Sequence, residues 1–428
     1  GGMVMSLDFS YRLLHWLDTH RALRDPFKIP KRVMKVRQEI REWVAKEVVP
    51  IADRIDSSAH DNFNWELLRK AAEAGYVTNF IPSNYGGSAS MLDFVRGGTY
   101  AGAVILEELS AACPGVATLI GAHLLGLLPI ILSMDRKVAK RFLPEIGKAV
   151  KTDEPKICAF AITEPDAGSD VEDNEGGRKA HLMTFAKKVK GGYIINGRKC
   201  FISNGSVAWL TTVFASLDRE KGIDAWTCFA VTADTKGFSV GKVEDKMGQR
   251  ASPAAELILE DVFVPEENRV GQEGDGWLLN QMTLDSSRGP VGAIAIGAGR
   301  HALTKAIEYC RSKSINGKTM LEDRAVQAEL ADMLMKLEAA RTLIWRATST
   351  FPPLHYLSAM AKCFGSDVAM DICSRAIDLM GEEGTLRQME LEKAFRDIKL
   401  TQIYEGTNQV NRLAIAEELL LGNKLPWD

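Results

Sequence analysis

The chain has 428 residues, 46% hydrophobic and 25% charged, with a formal net charge of −3. That length exceeds one simple core and leaves room for two or three domains, in the composition of an ordinary globular protein. The mild acidity gives no global positive field for nucleic acid, and seven cysteines without a CxxC pair argue against a disulfide framework or zinc site and fit a reducing cytoplasm.

The opening Gly1-Gly2-Met3 resembles a cloning remnant, and with no basic stretch leading into an apolar run, no signal peptide is expected. From Pro30 to about Lys151 the pattern is helical. Val33, Val36, Ile40, Val44 and Val48 recur at spacings of three and four, and LLRKAAEAG closes on Gly75 as a helix C-cap. Gly115 to Leu132 carries no Asp, Glu, Lys or Arg and approaches the roughly 20 residues of a membrane span. His123 and Pro129 interrupt it, so it reads as a buried core helix pair broken at Pro129, with no membrane insertion.

Past Asp153-Glu154-Pro155 the character changes to short β-rich runs from Ile157 to Val264. Gly191-Gly192 and Asn196-Gly197 both read as tight hairpin turns flanking the strand YIIN. WLTTVFASL, AWTCFAVTA and AELILEDVFV are further strands. The densest basic run, Lys187-Lys188-Val189-Lys190, reads as the solvated rim of a hairpin, and Cys200 as a small buried thiol.

After Gly271 helices return. Val326, Leu330, Met333, Leu337, Ala340, Ile344 and Ala347 alternate at four and three, the core seam of an antiparallel bundle. On the next helix Lys362, Asp367, Asp371 and Arg375 are expected off the apolar stripe, and the small residues of GPVGAIAIGAG (289–299) allow a close neighbour. Helices, then strands, then helices make an α+β layout. No GxGxxG follows a first strand, so a Rossmann-type site is not supported.

Three segments carry candidate chemistry. AFAITEPDAGSD (159–170) ends an apolar strand at Thr163 and turns, clustering hydroxyls and free N–H groups suited to the edge of a planar heterocycle. NGRKCFISNG (196–205) repeats the idea, with Phe201 placed to lie on a ring and Ser203 to bond its edge. DKMGQRASPAAELILEDVFVPEENRVGQEGDGW (245–277) is a hairpin leading to a Gly-rich turn before a helix. Taken singly, each is also readable as a plain turn. A fourth segment, TQIYEGTNQVNR (401–412), sets a lone glutamate, Glu405, between tyrosine and glycine, either a helix-start surface residue or a base.

TEPDAGSD, NGRKCFISNG, MGQRASP, VFVPEENRVGQEGDGW and IYEGTNQVNR, in that order, resemble the acyl-CoA dehydrogenases from about Pro30 onward. The resemblance implies an N-terminal helical domain (1–155), a middle small β-barrel-like domain (156–272) and a C-terminal four-helix bundle (273–428). It also implies FAD, a homotetramer built as a dimer of dimers, an acyl-CoA substrate and an acceptor such as electron-transferring flavoprotein. The YEGT glutamate is that of the short-, medium- and very-long-chain branches. It makes Glu405 the catalytic base that abstracts the thioester α-proton, the β-hydride going to flavin N5, and Gly406 lets the substrate approach without a Cβ in the way. The Glu405 backbone N–H and a ribityl hydroxyl would polarise the substrate carbonyl.

Further roles carry over by resemblance. Phe160, Ile162, Thr163, Gly168, Ser169, Phe201, Ser203, Gly381, Thr407 and Gln409 fall at FAD-binding positions. Ser169, Asp285, Arg288, Tyr404, Glu405 and Gly406 fall at substrate-binding positions, with Asp285 and Arg288 on the CoA arm. Residues in roughly 100–130 shape the acyl pocket. There Gly121, Ala122 and Gly126 suggest room, and His123 reads as a satisfied core histidine, with a pocket-facing position as the alternative. Short, medium, branched and alicyclic acyl groups all stay open, and no membrane-binding extension is expected after Leu421.

The chain departs from the pattern in three places. Phe201 and Ser203 stand where Trp and Thr are usual. The family's Gln-x-x-Gly-Gly-x-Gly becomes Asp378-Leu379-Met380-Gly381-Glu382-Glu383-Gly384, and its Arg-x-x-Phe-Gly becomes Lys313-Ser314-Ile315-Asn316-Gly317. A carboxylate beside a pyrophosphate repels it by on the order of 1 kcal/mol, so weaker FAD retention is expected. The insertion at 172–192 carries Arg178, Lys179 and His181, readable as a solvated loop or as phosphate-binding cations near the CoA entrance. Two other readings remain: an oxygen-using oxidase or monooxygenase on the same fold, against which Glu405 argues, and an acyl-CoA-binding protein with weakened FAD binding.

Overall fold

The computed structural model describes residues 30–58, 63–89, 98–172, 177 and 181–421; Gly1, Gly2, Arg178 and Lys179 lie outside them. Helix α1 (Lys31–Glu47) buries Val33, Ile40 and Val44, the face its spacing requires. Helices α2 (Ala52–Ser58) and α3 (Trp65–Glu73) follow. The Asn64 side chain caps α3 by accepting the Leu67 N–H, and Gly75, at φ 89°, lets the chain leave it. Helices α4 (Tyr100–Ser110), α5 (Pro114–Leu132) and α6 (Arg136–Ala149) complete the N-terminal layer.

The expected helix pair at 115–132 is one unbroken 19-residue helix. Pro129 lies so near its end that the missing N–H costs one hydrogen bond and no further turns need to continue past it. By length and composition α5 could span a membrane (mean hydropathy 2.1 over its most apolar 18 residues), yet 72% of that stretch is buried within the fold. It lies directly on the sheet: a Cβ at Gly126 would come within 2.7 Å of the Ala159 backbone. Gly126 therefore serves this contact and not the acyl pocket. His123 is wholly buried, its Nε2 donating to the Val77 carbonyl at 2.8 Å and its Nδ1 accepting from the Cys158 N–H at 3.0 Å. Burial pushes its pKa down to about 4, so it is a neutral core histidine, as expected.

The middle layer is an eight-stranded sheet. Its strands are β1 (Cys158–Ala161), β2 (Phe185–Val189), β3 (Gly192–Ser203), β4 (Leu210–Ser216), β5 (Trp226–Thr232), β6 (Phe238–Val243), β7 (Ala254–Pro265) and β8 (Arg269–Val270). They run in the order β6-β7-β3-β2-β4-β5-β8, with β1 parallel to β4. Gly191, at φ 82°, turns the β2–β3 hairpin beneath the exposed Lys187 and Lys188.

Asn196-Gly197 is no turn; it lies inside β3 where the register against β7 shifts. The Asn196 amide is spent across the pair, accepting the Asp261 N–H at 2.8 Å and donating to Asp261 Oδ1 at 3.0 Å. A side chain on Gly197 would strike Thr184, so this glycine answers a close approach rather than a reversal. Cys200 is only half-buried, beside a second register shift between Lys199 and Ile202.

The C-terminal layer holds three long helices, α7 (Gly276–Ser312), α8 (Arg324–Ser349) and α9 (His355–Met380), and two shorter ones, α10 (Leu391–Thr401) and α11 (Asn408–Leu420). Leu330, Met333, Leu337, Ala340, Ile344 and Ala347 form the buried seam of α8. The small residues of α7 serve helix packing: a Cβ on Gly297 would meet the Glu107 carbonyl of α4 at 2.3 Å, and one on Gly292 the Ala361 carbonyl of α9 at 2.8 Å. A buried ionic cluster joins the same layers, Arg300 and Arg341 binding Glu107 while Arg37 and Arg300 bind Glu108.

Candidate active site

The turn between α10 and α11 holds Glu405 and Gly406 at φ 56° and 74°, two left-handed residues in succession. Such backbone is costly for a glutamate and persists only where neighbours hold it. Three groups do so. Asn411 Nδ2 donates to the carbonyls of Glu405, Gly406 and Thr407 at 3.2, 2.8 and 3.1 Å. Lys362, wholly buried, donates to the Gly406 carbonyl at 2.7 Å and Asn408 Oδ1 at 2.8 Å. The Thr407 side chain caps α11 by accepting the Val410 N–H, and its own N–H donates to Ser169 Oγ at 3.1 Å. Lys362 thus sits inside the bundle, not off the apolar stripe; the turn's carbonyls compensate the ammonium for its lost water.

The Glu405 side chain is 9% exposed, with Ser287 Oγ donating to its Oε2 at 3.3 Å. Burial pushes its pKa up to about 7, against the pull of Arg288, Lys362 and the Ser287 hydroxyl. The carboxylate forms one wall of a cavity of about 480 Å³ that also touches Ser203, Tyr404 and Ser287, then runs past Gly121 and Ala122 toward Phe80 and Val36. Burial raises the Tyr404 phenol to about 12, so it stays protonated. Among the described residues the Glu405 N–H donates to no protein acceptor.

The two turn segments of the sheet are clasped together. Lys199 Nζ donates to the Ile162 carbonyl at 2.9 Å and to Glu164 Oε1 at 2.8 Å, and the Cys200 N–H donates to the Thr163 carbonyl at 3.0 Å. The second register shift throws Phe201 outward, at φ 54° and 63% exposed, beside the half-buried Ser203. Thr163, Gly168 and Ser169 are half-buried nearby in sequence, whereas the side chains of Phe160 and Ile162 belong to the core, Phe160 against Phe214 at 4.9 Å between ring centres.

Arg288 has no exposed surface; its Nη2 donates to the Glu172 carbonyl at 3.1 Å, and Nη1 lies 3.7 Å from Asp285 Oδ1. Asp285 in turn bonds His355 at 2.7 Å. Gln409 is exposed at the start of α11. Gly381 stands apart: it lies 19 residues along α9 from Lys362, roughly 28 Å of helix. There Asp378 and Glu382 are exposed, and Lys313 pairs with Glu383. His181 of the insertion is exposed.

Sequence reasoning missed Lys362, Glu172, Asn411 and Ser287. One signal was available for Lys362: with Ala359, Ser366 and Ala369 it continues a three-four spacing along the buried side of α9.

Three family models match the chain in succession: acyl-CoA dehydrogenase N-terminal domain over residues 32–149, middle domain over 159–262 and C-terminal domain over 274–420. Among curated proteins, the Mycobacterium tuberculosis protein named Probable acyl-CoA dehydrogenase FadE25 is 34% identical over 400 residues, 92% of this chain and 97% of that one. Cyclohex-1-ene-1-carbonyl-CoA dehydrogenase of Syntrophus aciditrophicus is 35% identical over 387 residues, 89% of this chain and 88% of that one. Among solved structures, butyryl-CoA dehydrogenase from Megasphaera elsdenii superposes with a TM-score of 0.83 at 32% identity, covering 92% of this chain and 99% of that one.

Proposed function

The chain belongs to the acyl-CoA dehydrogenase family, and on that premise we propose that it converts an acyl-CoA thioester to the trans-2-enoyl-CoA with Glu405 as the base. The observation that carries this reading is the setting of Glu405. A thioester α-proton is weakly acidic, so a carboxylate takes it only when stripped of water and raised in proton affinity. Glu405 is buried at the wall of an apolar cavity with its pKa pushed up to about 7, while Arg288, Lys362 and Ser287 keep it ionisable near neutrality.

The family implies a flavin, which we take to be FAD, and the residues present fit one. Phe201 offers an exposed aromatic face for a planar ring, and Ser203 beside it lines the same cavity as Glu405. Thr163, Phe201 and Ser203 would hold the ring, and Thr407 and Gln409 would serve its nucleotide end. The bound flavin supplies the acceptor for the substrate's β-hydride. Everything else falls to the chain itself. Glu405 takes the α-proton at its carboxylate, and its unspent N–H donates to the thioester carbonyl as charge develops there. The apolar walls at Gly121 and Ala122 seat the acyl group and exclude water. Electrons then leave to an acceptor such as electron-transferring flavoprotein, from an enzyme that works as a homotetramer.

The test is to reconstitute the protein with FAD and follow flavin absorbance anaerobically against a panel of straight, branched and alicyclic acyl-CoAs. Bleaching by one of them is expected, slowed about 10²- to 10⁴-fold in Glu405→Gln. Bound flavin that no acyl-CoA bleaches, or a variant as fast as wild type, refutes the reading; fast reoxidation in air marks an oxygen-using enzyme instead.

A further inference from the structure

Glu172 ends the short turn Ser169–Glu172, at the start of the insertion, yet its side chain points inward and is 8% exposed. Its Oε2 is buried and has no hydrogen-bond partner among the described residues. An ideal Cβ on Gly406 would lie 2.9 Å from this oxygen and 3.8 Å from Arg288 Nη2. The carboxyl therefore rests against the residue that follows the base. Arg288 of α7 and Lys362 of α9, both fully buried, face the same spot, so two carboxyls and two cations share one water-poor cluster. Asp170 on the same turn is a further acid acting on it, and Asp285 and His355 adjoin Arg288.

An ionised carboxylate oxygen without a donor is expensive in such a place, whereas a protonated carboxyl is neutral there. Two buried carboxyls of which one feels the charge of the other cannot both ionise freely. We propose that Glu172 is a positioning residue for the base: it retains the single carboxyl proton of a buried Glu172–Glu405 pair, leaving Glu405 ionised and able to accept the substrate's α-proton. The order of proton affinities agrees. Burial, then the charge of Glu405, pushes Glu172 up to about 8, above the value of about 7 for Glu405. With Glu172 neutral, the pull of Arg288 and Lys362 falls on Glu405 alone. The pair titrates as a unit, in two steps.

This role rests on Glu405 being the base, but its test does not require turnover. The infrared C=O absorption of protonated carboxyls is followed in the holoenzyme from acidic to alkaline pH, for wild type, Glu172→Gln and Glu405→Gln. Wild type is expected to lose this absorption in two steps. Glu172→Gln, an isosteric change, loses the upper step and keeps the lower; Glu405→Gln leaves one step, that of Glu172, moved below the wild-type upper step because the Glu405 charge that raised it is gone. In parallel, the pH profile of kcat/KM for Glu172→Gln keeps its acid limb and loses the higher inflection. A single step in wild type, or an upper step that survives in Glu172→Gln, overturns the proposal even if acyl-CoA bleaches the flavin. Absence of bleaching with the two-step titration intact overturns the dehydrogenase reading alone.

Discussion

Replacing Lys362 by methionine removes the buried cation under the Glu405 turn while keeping the length of its side chain. Two consequences follow from its contacts. Lys362 donates to the Gly406 carbonyl at 2.7 Å and Asn408 Oδ1 at 2.8 Å. Hydrogen bonds from a charged donor contribute about 1.5–3 kcal/mol each, so the turn loses on the order of 3 kcal/mol of anchorage, partly offset because no ammonium need be desolvated. The second consequence is electrostatic. Lys362 lowers the proton affinity of Glu405, whose pKa lies at about 7. Losing a neighbouring cation raises a carboxyl pKa by about one pH unit or more. At pH 7 the ionised fraction of Glu405 then falls from about one half to about one tenth, a roughly fivefold loss in kcat/KM. The loss shrinks as pH rises past the new value, and shrinks further because burial lowers the pKa of Lys362 itself to about 8, so wild type sheds the same charge there. Stopped-flow reduction of the flavin by acyl-CoA across pH reads this directly. An acid limb that stays in place, or a loss equal at all pH values, would refute the electrostatic argument and leave Lys362 a purely structural anchor.

Two further substitutions probe the same architecture. Gly406→Ala puts a Cβ 2.9 Å from Glu172 Oε2 at a φ of 74°, and left-handed backbone costs a non-glycine about 1–2 kcal/mol; denaturant unfolding should show at least that loss, with flavin reduction slowed tenfold or more, and an alanine variant with both unchanged would mean that close approach is not why glycine stands there. Glu382→Gly removes an exposed acid from a stretch where Lys313 is already committed to Glu383; about 1 kcal/mol less repulsion should tighten FAD about fivefold in equilibrium dialysis, and an unchanged Kd would dismiss the acids at 378 and 382 as the cause of any weak retention.

Local signals in the sequence carried far. The alternating seam on α8, the Gly75 cap and the Gly191-Gly192 hairpin each depend on residues within a turn or two of one another, and each stands as read. The failures share one cause. Asn196-Gly197 has the chemistry of a turn, but Asp261 on a strand 65 residues away takes up the asparagine amide and the strand continues. Pro129 breaks helices in general, yet α5 ends three residues later. A lysine on a helix is ordinarily solvated, and Lys362 is not, because the backbone carbonyl of Gly406 waits for it across the bundle.

The candidate site divides along the same line. Glu405 was legible as a candidate because a lone acid between tyrosine and glycine stands in series with four other motifs. Which groups tune it was not legible. Arg288 arrives from α7, Lys362 from α9 and Glu172 from the sheet domain, and pairwise charge effects between them exist only at distances that folding creates. The order of residues along the chain determined the family and the layers, and singled out the glutamate that we propose as the base. Tertiary structure alone decided the proton affinity of that base, because desolvation and Coulomb attraction depend on what surrounds a carboxyl in space, and its sequence neighbours contribute little of that.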